Sequence, residues 1–360
     1  MKILIDVGHP AHVHFFKNII NNLKAHGHEV AITARDTSII KYLLNIYGFS
    51  FFIIGKHNEG FLQKGIGLLK KDYNLYKISK KFKPDLLIGI GNEYVSQVSY
   101  LINKPSIVFT DTEDANLTHM LTIPFAKVIC TPKFFKKDFG EKHIRINGYK
   151  EIAYLHPNFF LPCKREELNL PKDEKVIIVR FISWGAAHDR ELKGINNNSK
   201  LDLIINLSHY GKVLITSEKP LEGELEKYRV HVAPEKMHSL LFYSDLYIGE
   251  GGTMAVEAGI LGTPAIHIES TPSGQATGET CGNFLELRDT YGLIYFYPTQ
   301  DLALQKAIEI LKNPNSKKEW QDKQKKLWSD VSDVTTWMTN FIENYPNSFY
   351  QYKKENQALK

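Results

Sequence analysis

At 360 residues the chain is longer than one hydrophobic core usually supports, and an apolar fraction of 43% is ample for two cores. Its three cysteines, Cys130, Cys163 and Cys281, have neither disulfide-framework nor metal-type spacing, which argues against a secreted disulfide scaffold and for a reducing compartment. A formal charge of +5 is too modest at this length to imply nucleic acid as a partner, and no apolar run approaches the ~20 residues a membrane-spanning helix needs.

The chain opens directly on a strand, Lys2–Val7, instead of a signal peptide, so a cytoplasmic protein is expected. Residues 13–26 read as a helix, 29–33 as a strand, 37–48 as a helix and 51–54 as a strand. The range 62–81 reads as an amphipathic helix, with Leu62, Ile66, Leu69, Tyr73 and Tyr76 at helical spacing. Lys64, Lys70, Lys71, Lys77, Lys80, Lys81 and Lys83 crowd the same segment, and Lys133, Lys136, Lys137 and Lys142 form a second group. Such a basic face is either a solvated surface over an ordinary core or a surface for peripheral contact with an anionic inner membrane face or a lipid-phosphate acceptor. Strands at 86–90, 106–109, 128–130 and 144–146, with a helix at 94–102, complete the first series. Continuous apolar strands separated by helices indicate a parallel sheet covered on both faces, hence a Rossmann-like domain over 1–158.

Proline and charge interrupt the pattern, and 159–175 reads as a linker. A second Rossmann-like series over 176–315 then runs through strands at 176–179, 213–215, 229–232, 245–248, 265–268 and 293–295, with helices at 199–209, 237–243 and 254–261. Beyond 315 the chain is strongly helical, and Trp320, Leu327, Trp328, Val331, Val334, Met338, Phe341 and Tyr345 form an apolar stripe. Open parallel sheets bind ligands beyond the carboxyl ends of their strands, so two such domains facing each other would share one cleft.

The most informative stretch is Asp245 to Ile266, where a buried strand breaks into Glu250-Gly251-Gly252-Thr253 and a helix follows at once. The first backbone N–H groups of a helix lack intrahelical partners and lie at the positive end of its dipole, so they bind an anion readily. Glycines there let a diphosphate approach the backbone, although glycines also serve such turns for conformational reasons alone. Glu257, one turn into the helix, can accept hydrogen bonds from ribose hydroxyls. Recognition of a nucleoside diphosphate is the chemistry suggested.

The ordered set Gly251-Gly252-Thr253, Glu257-Ala258 and Leu261-Gly262-Thr263-Pro264 resembles the donor-site segment of GT-B nucleotide-sugar enzymes, including MurG-type N-acetylglucosaminyltransferases and UDP-N-acetylglucosamine 2-epimerases. Closer still is a family of archaeal and bacterial candidate glycosyltransferases. Its pattern is matched in order, from near residue 1 to about residue 266, by Pro10-Ala11-His12-Val13-His14-Phe15-Phe16, Gly27-His28-Glu29-Val30, Lys83-Pro84-Asp85, Ile107-Val108-Phe109, Asp111-Thr112-Glu113, Pro234-Glu235-Lys236-Met237-His238 and the donor segment. The resemblance implies a GT-B-like α/β fold, two Rossmann-like domains with parallel sheets facing across a cleft, and helices over 316–360 that pack back towards the N-terminal domain.

On the acceptor side, the loop after the first strand carries His9, His12 and His14. This spacing lacks a carboxylate set for a metal, and a histidine titrating near working pH suits a general base for an acceptor hydroxyl. The resemblance places His12 in that role, with His9 and His14 as competitors; any of the three can instead cap a helix or pack under the loop. Asp111 and Glu113 follow a strand end, where they can bind acceptor hydroxyls, help move a proton, or simply cap the loop. Arg180, ahead of the turn containing Ser183, can neutralise a departing diphosphate or form an ordinary ion pair. By resemblance Met237 and His238 approach the nucleobase, while a helix start explains them equally well.

The function implied is metal-independent, cofactor-free transfer of a sugar from a nucleotide donor, UDP by analogy, to an acceptor hydroxyl on a sugar or lipid carrier in glycoconjugate or surface-polysaccharide synthesis. Two alternatives stand beside it, a nucleotide-sugar 2-epimerase and a non-catalytic nucleotide-sugar-binding protein. Against the epimerase, its His-Arg-Arg-Glu-Asn stretch has no counterpart between Phe181 and Asp189, and Gly91-Asn92-Glu93 stands where that family has Gly-Asp-Thr.

Overall fold

The computed structural model describes residues 1–56, 61–182, 192–195, 199–217 and 220–357. It divides into two compact units, Met1–Phe159 with Ser332–Lys360, and Phe160–Val331.

The first unit alternates β1 (Lys2–Val7), α1 (Pro10–Ala25), β2 (Glu29–Asp36), α2 (Ser38–Ile46), β3 (Phe52–Lys56), α3 (Phe61–Phe82), β4 (Leu86–Ile90), α4 (Glu93–Leu101), β5 (Ser106–Phe109), α5 (Asn116–Thr122), β6 (Val128–Pro132), β7 (His143–Ile146) and α6 (Ile152–Leu155). All seven strands are parallel, in the order β3-β2-β1-β4-β5-β6-β7. The order reverses between β1 and β4, which makes that edge of the sheet the topological switch point. Strand β4 is buried at every position and β1 from Ile3 onward, as a sheet covered on both faces requires.

Helix α3 turns a different face to the core from the one expected. Leu69 and Tyr73 are 70% and 60% exposed, while Leu68, Leu75, Tyr76, Ile78 and Phe82 pack on a cluster that includes Leu4, Leu87 and Val95. The segment carries two interleaved apolar series that share Tyr76, and the one centred on fully buried Leu75 fits the sheet.

The second unit contains β8 (Val176–Phe181), α7 (Lys200–Ser208), β9 (Lys212–Ser217), α8 (Met237–Tyr243), β10 (Leu246–Gly249), α9 (Gly252–Ile260), β11 (Ala265–Ile268), α10 (Gly282–Asp289), β12 (Ile294–Tyr297), α11 (Gln300–Lys312) and α12 (Ser316–Asp330). Its five parallel strands run β12-β11-β10-β8-β9. The strand expected at 229–232 is reduced to one bridge, Arg229 with Ile215. A 3₁₀ turn at Gly223–Tyr228 precedes it and another begins at Pro234, which has no N–H for a ladder, so little backbone remains to pair.

Two boundaries differ from the sequence reading. The range 159–175 lies almost wholly inside the second unit, where the Cys163 N–H donates to Ser239 Oγ at 3.0 Å, the Tyr243 hydroxyl donates to the Cys163 carbonyl at 2.9 Å, and Arg165 donates to the Pro171 carbonyl at 2.7 Å. Helix α12 belongs to the same unit, because the Trp320 indole donates to the Leu293 carbonyl at 2.7 Å and Gln324 to that of Ile260 at 2.7 Å. Lys317 binds the carbonyls of Phe242 and Ser244, and burial among them lowers its pKa to about 7. Only the remaining helices, α13 (Val334–Glu343) and α14 (Asn347–Gln357), join the first unit. There the Thr335 hydroxyl donates to the Ala153 carbonyl at 2.6 Å, and the Tyr352 hydroxyl accepts from the Arg145 N–H at 2.8 Å. No helix among the described residues is long and apolar enough to cross a membrane.

Met338 of α13 is fully buried. Met338→Ala is expected to cost about 3 kcal/mol by the loss of burial and the cavity left behind. Urea unfolding followed by far-UV circular dichroism reads this as a lowered midpoint, and an unchanged midpoint would mean that α13 adds nothing to the core of the unit.

Candidate functional site

Strand register in the second unit sets Arg180 of β8, Gly249 of β10, His267 of β11 and Phe296 of β12 in one row at the carboxyl ends. A β-carbon on Gly249 would lie 2.5 Å from the Arg180 carbonyl oxygen, so only glycine fits. Helix α9 then starts with Gly251 at its N-cap and no side-chain cap among the described residues. Its first N–H groups therefore face outward with the positive end of the helix dipole. Arg180 lies over this turn, its Cγ and Nε 3.1 and 3.6 Å from where a β-carbon on Gly251 would sit. The Tyr247 hydroxyl donates to the Gly251 carbonyl at 2.9 Å and holds the turn from below. Gly251, Gly252 and Thr253 remain partly exposed.

Glu257, one turn further on, is buried with Oε1 3.1 Å from Nε2 of equally buried His238. Residues 19 positions apart in sequence are thereby joined, with partly exposed Met237 opening α8 beside them. Buried Glu250 accepts the N–H of Ile182 on Oε2 at 2.9 Å and that of Ile195 on Oε1 at 2.7 Å. It fastens both flanks of the segment that contains Ser183, a residue that lies outside the described ones together with Trp184, His188 and Asp189.

In the first unit the three histidines differ in exposure. His9 is exposed and caps α1, its Nδ1 accepting the Ala11 N–H at 3.2 Å. His12 is half-buried, with Nδ1 accepting the Gly8 N–H at 3.3 Å. His14 is buried, its Nδ1 3.3 Å from the Tyr47 hydroxyl and its ring 5.6 Å from that of Tyr154, so it packs inside the unit. Burial, and next the positive surroundings of His9, Lys150 and Arg35, hold the His12 pKa well below the ordinary histidine value. His12 is therefore neutral at physiological pH. Because its Nδ1 accepts a hydrogen bond, the neutral ring carries its proton on Nε2.

Asp111 pairs with Lys150 at 2.7 Å, and Lys150 also lies 3.5 Å from Glu151. Glu113 is buried and its Oε1 accepts the Lys136 N–H at 3.4 Å, which ties it to the neighbouring loop. A small apolar pocket lies at the carboxyl ends of β4–β7, lined by Phe15, Phe109, Cys130 and Ile146, with Asp111 and Lys150 among its polar members.

Beneath Gly8 is a polar cluster that sequence reasoning missed. Fully buried Asp6 accepts from the Thr33 hydroxyl at 2.6 Å, the Asn92 amide at 2.6 Å and the Tyr94 hydroxyl at 2.7 Å. Burial raises its pKa to about 6, against the pull of the Thr33 and Tyr94 hydrogen bonds and of Arg35 and Lys71. The available signal was an aspartate ending an otherwise apolar strand. No group of three His, Cys, Asp or Glu side chains among the described residues is arranged to hold a metal ion.

These two parallel sheets define a GT-B-like α/β fold, the class shared by glycosyltransferases and UDP-N-acetylglucosamine 2-epimerases. The chain belongs to the family described as "Protein of unknown function (DUF354)", whose model matches residues 1–273. An uncharacterised protein of Methanocaldococcus jannaschii is 27% identical over 281 residues, 74% of this chain and 81% of that protein. The UDP-N-acetylglucosamine–N-acetylmuramyl-(pentapeptide) pyrophosphoryl-undecaprenol N-acetylglucosamine transferase of Halothermothrix orenii is 30% identical over 224 residues, 56% of this chain and 58% of that enzyme. Among solved structures, the UDP-GlcNAc 2-epimerase of Neisseria meningitidis bound to UDP-GlcNAc superposes with a TM-score of 0.63 at 14% identity, covering 95% of this chain and 99% of its own.

The depressed pKa of His12 has a stability consequence. Below pH 6.5 the unfolded chain takes up a proton there that the folded chain does not, so stability is lost as pH falls from about 6.5 towards the folded value. His12→Gln removes this loss. Relative to wild type it is expected to gain stability as pH falls from 7.5 to 5.5 in urea unfolding, and a constant difference across that range would show that His12 titrates normally.

Proposed function

We propose that this chain is a glycosyltransferase that moves a sugar from a nucleotide donor, UDP by analogy with its relatives, to an acceptor hydroxyl in glycoconjugate or polysaccharide synthesis. The observation that carries the reading is the uncapped N-terminus of α9 behind Gly251 and Gly252, with Arg180 lying over the turn. A departing nucleoside diphosphate gains negative charge, and fixed N–H dipoles with a guanidinium stabilise that charge without a metal. Thr253 extends the same edge. Glu257, oriented by His238, serves as acceptor for ribose hydroxyls, with Met237 near the base.

On the acceptor side His12 takes the role of base. It is neutral, and it removes the hydroxyl proton through Nδ1 once the weak Gly8 contact gives way to the acceptor. His14 supports the loop from inside, and Asp111 with Lys150 orients the acceptor. Glu113 then holds the loop that frames this edge.

The epimerase alternative keeps the same donor contacts and the same fold, which the Neisseria enzyme shares. Calorimetry with UDP, UDP-GlcNAc and other nucleotide sugars, followed by NMR of each binder without acceptor, separates the two. We expect a UDP-sugar to bind and stay unconverted, Glu257→Ala to weaken binding ~10-fold or more, and His12→Ala to leave it unchanged. Spontaneous conversion to the epimer would replace the transferase reading, and no binding of any nucleotide would remove the donor site.

The solvent face of α3 carries exposed Leu69 and Tyr73 beside Lys70 and Lys77, with the Lys77 ammonium 5.3 Å from the Tyr73 ring centre. This amphipathic basic face suits peripheral contact with an anionic bilayer that carries a lipid-linked acceptor. Sedimentation with anionic vesicles at low salt should exceed that with zwitterionic vesicles, and the excess should fall in Leu69→Ser/Tyr73→Ser; equal sedimentation with both lipids would exclude the contact.

A further inference from the structure

His267 is a buried titratable group that the roles above leave unused. The residue is 3% exposed at the third position of β11, in register with Gly249 on one side and Phe296 on the other. Nε2 lies 3.4 Å from the Thr277 hydroxyl and 3.6 Å from Glu269 Oε2, whereas Nδ1 is buried with no hydrogen-bond partner among the described residues. The ring is set against the start of α9, with Cε1 and Nε2 3.8 and 3.9 Å from where a β-carbon on Gly252 would sit. The Phe284 ring, 5.4 Å away between centres, covers it from α10.

Leaving a buried polar nitrogen unpaired is costly, and the cost is removed when a ligand supplies the missing partner. The surroundings also define what that partner must be. A Thr277 hydroxyl donating to Nε2 selects the tautomer with its proton on Nδ1. In that tautomer Nδ1–H is a donor in need of an acceptor. The ring, through Cε1 and Nε2, is set against the start of uncapped α9, and Arg180 occupies the same row across Gly249. Donors of three kinds thus bracket one turn, which is an arrangement for an oxygen-rich anion.

We propose that His267 is a binding residue of the donor site, its Nδ1–H donating to a phosphoryl oxygen of the bound nucleoside diphosphate on the flank opposite Arg180. Thr277 is a positioning residue that holds the ring in this tautomer. The assignment rests on the reading of α9 as a diphosphate site and adds a residue that reading does not contain.

The test measures UDP and uridine affinities, by calorimetry and ligand-observed NMR, for wild type, His267→Leu, His267→Asn and Thr277→Val. Asparagine places an amide N–H near the position of Nδ1–H, whereas leucine removes it. We expect His267→Leu to weaken UDP ~10-fold or more and leave uridine unchanged, His267→Asn to recover most of the loss, and Thr277→Val to weaken UDP selectively by a smaller factor. Equal losses for UDP and uridine would reduce His267 to a packing residue, and unaltered UDP binding in both His267→Leu and Thr277→Val would overturn the assignment while leaving the donor site intact. Failure of wild type to bind UDP would overturn both. Should His267→Leu not fold, the Thr277→Val arm decides alone: selective weakening of UDP supports the proposal, and unaltered UDP binding overturns it.

Discussion

Strands β8 and β10 approach so closely at Gly249 that no side chain fits between them, and the geometry of the donor edge follows from that contact. The Glu250 N–H still donates to the Arg180 carbonyl at 3.1 Å, so the chain stays in the sheet for one residue past the glycine before it turns. The buried Glu250 carboxylate then binds Ile182 and Ile195, which anchors the loop after β8 to the same point. The Arg180 backbone cannot move away from Gly249 without breaking the ladder that also positions α9. A larger residue at Gly249 would separate the strands, shift the helix start and remove Arg180 from it in one step.

The two units use the same strand–turn–helix junction in opposite ways. In the first unit the turn is already filled: His9 caps α1, Pro10 has no N–H to offer, the Gly8 N–H is taken by His12, and the negative charge lies inside as Asp6. An anion arriving there would meet few open donors and a buried carboxylate. In the second unit the corresponding helix is uncapped, and its flanks are a guanidinium and an imidazole. On the proposed reading, the first junction presents a neutral nitrogen and the second receives oxygen-rich negative charge. This division matches a reaction in which a hydroxyl loses a proton on one side while a diphosphate departs on the other.

Much of the architecture was legible because a parallel sheet covered on both faces leaves long apolar strands between helices, and β4, β5, α8 and β11 fall where that pattern put them. The pattern was silent about contacts between segments distant in sequence. Nothing in the local sequence of Glu257 announces His238, and the pairing appears only when α8 and α9 pack side by side. His267 was invisible for the same reason, since a histidine in Ala265-Ile266-His267-Ile268 reads as one more core position until register places it beside Gly249. The 315 boundary failed because Trp320 and Leu327 look like the start of the stripe continued by Val334 and Met338. A long amphipathic series does not reveal that its two halves pack on different cores.

The choice between one substrate and two bears on the first unit more than on the second. An epimerase breaks and rebuilds the bond to the same diphosphate, so it needs no place for a second molecule. The first unit nevertheless keeps an apolar recess at the carboxyl ends of β4–β7, with the Asp111–Lys150 pair among its polar members and Phe15 of α1 as a wall. Phe15 follows His12 by three residues, so one short piece of helix both lines the recess and carries the candidate base. On the transferase reading this recess, with room for about one water molecule, would take no more than an edge of the acceptor beside the neutral histidine.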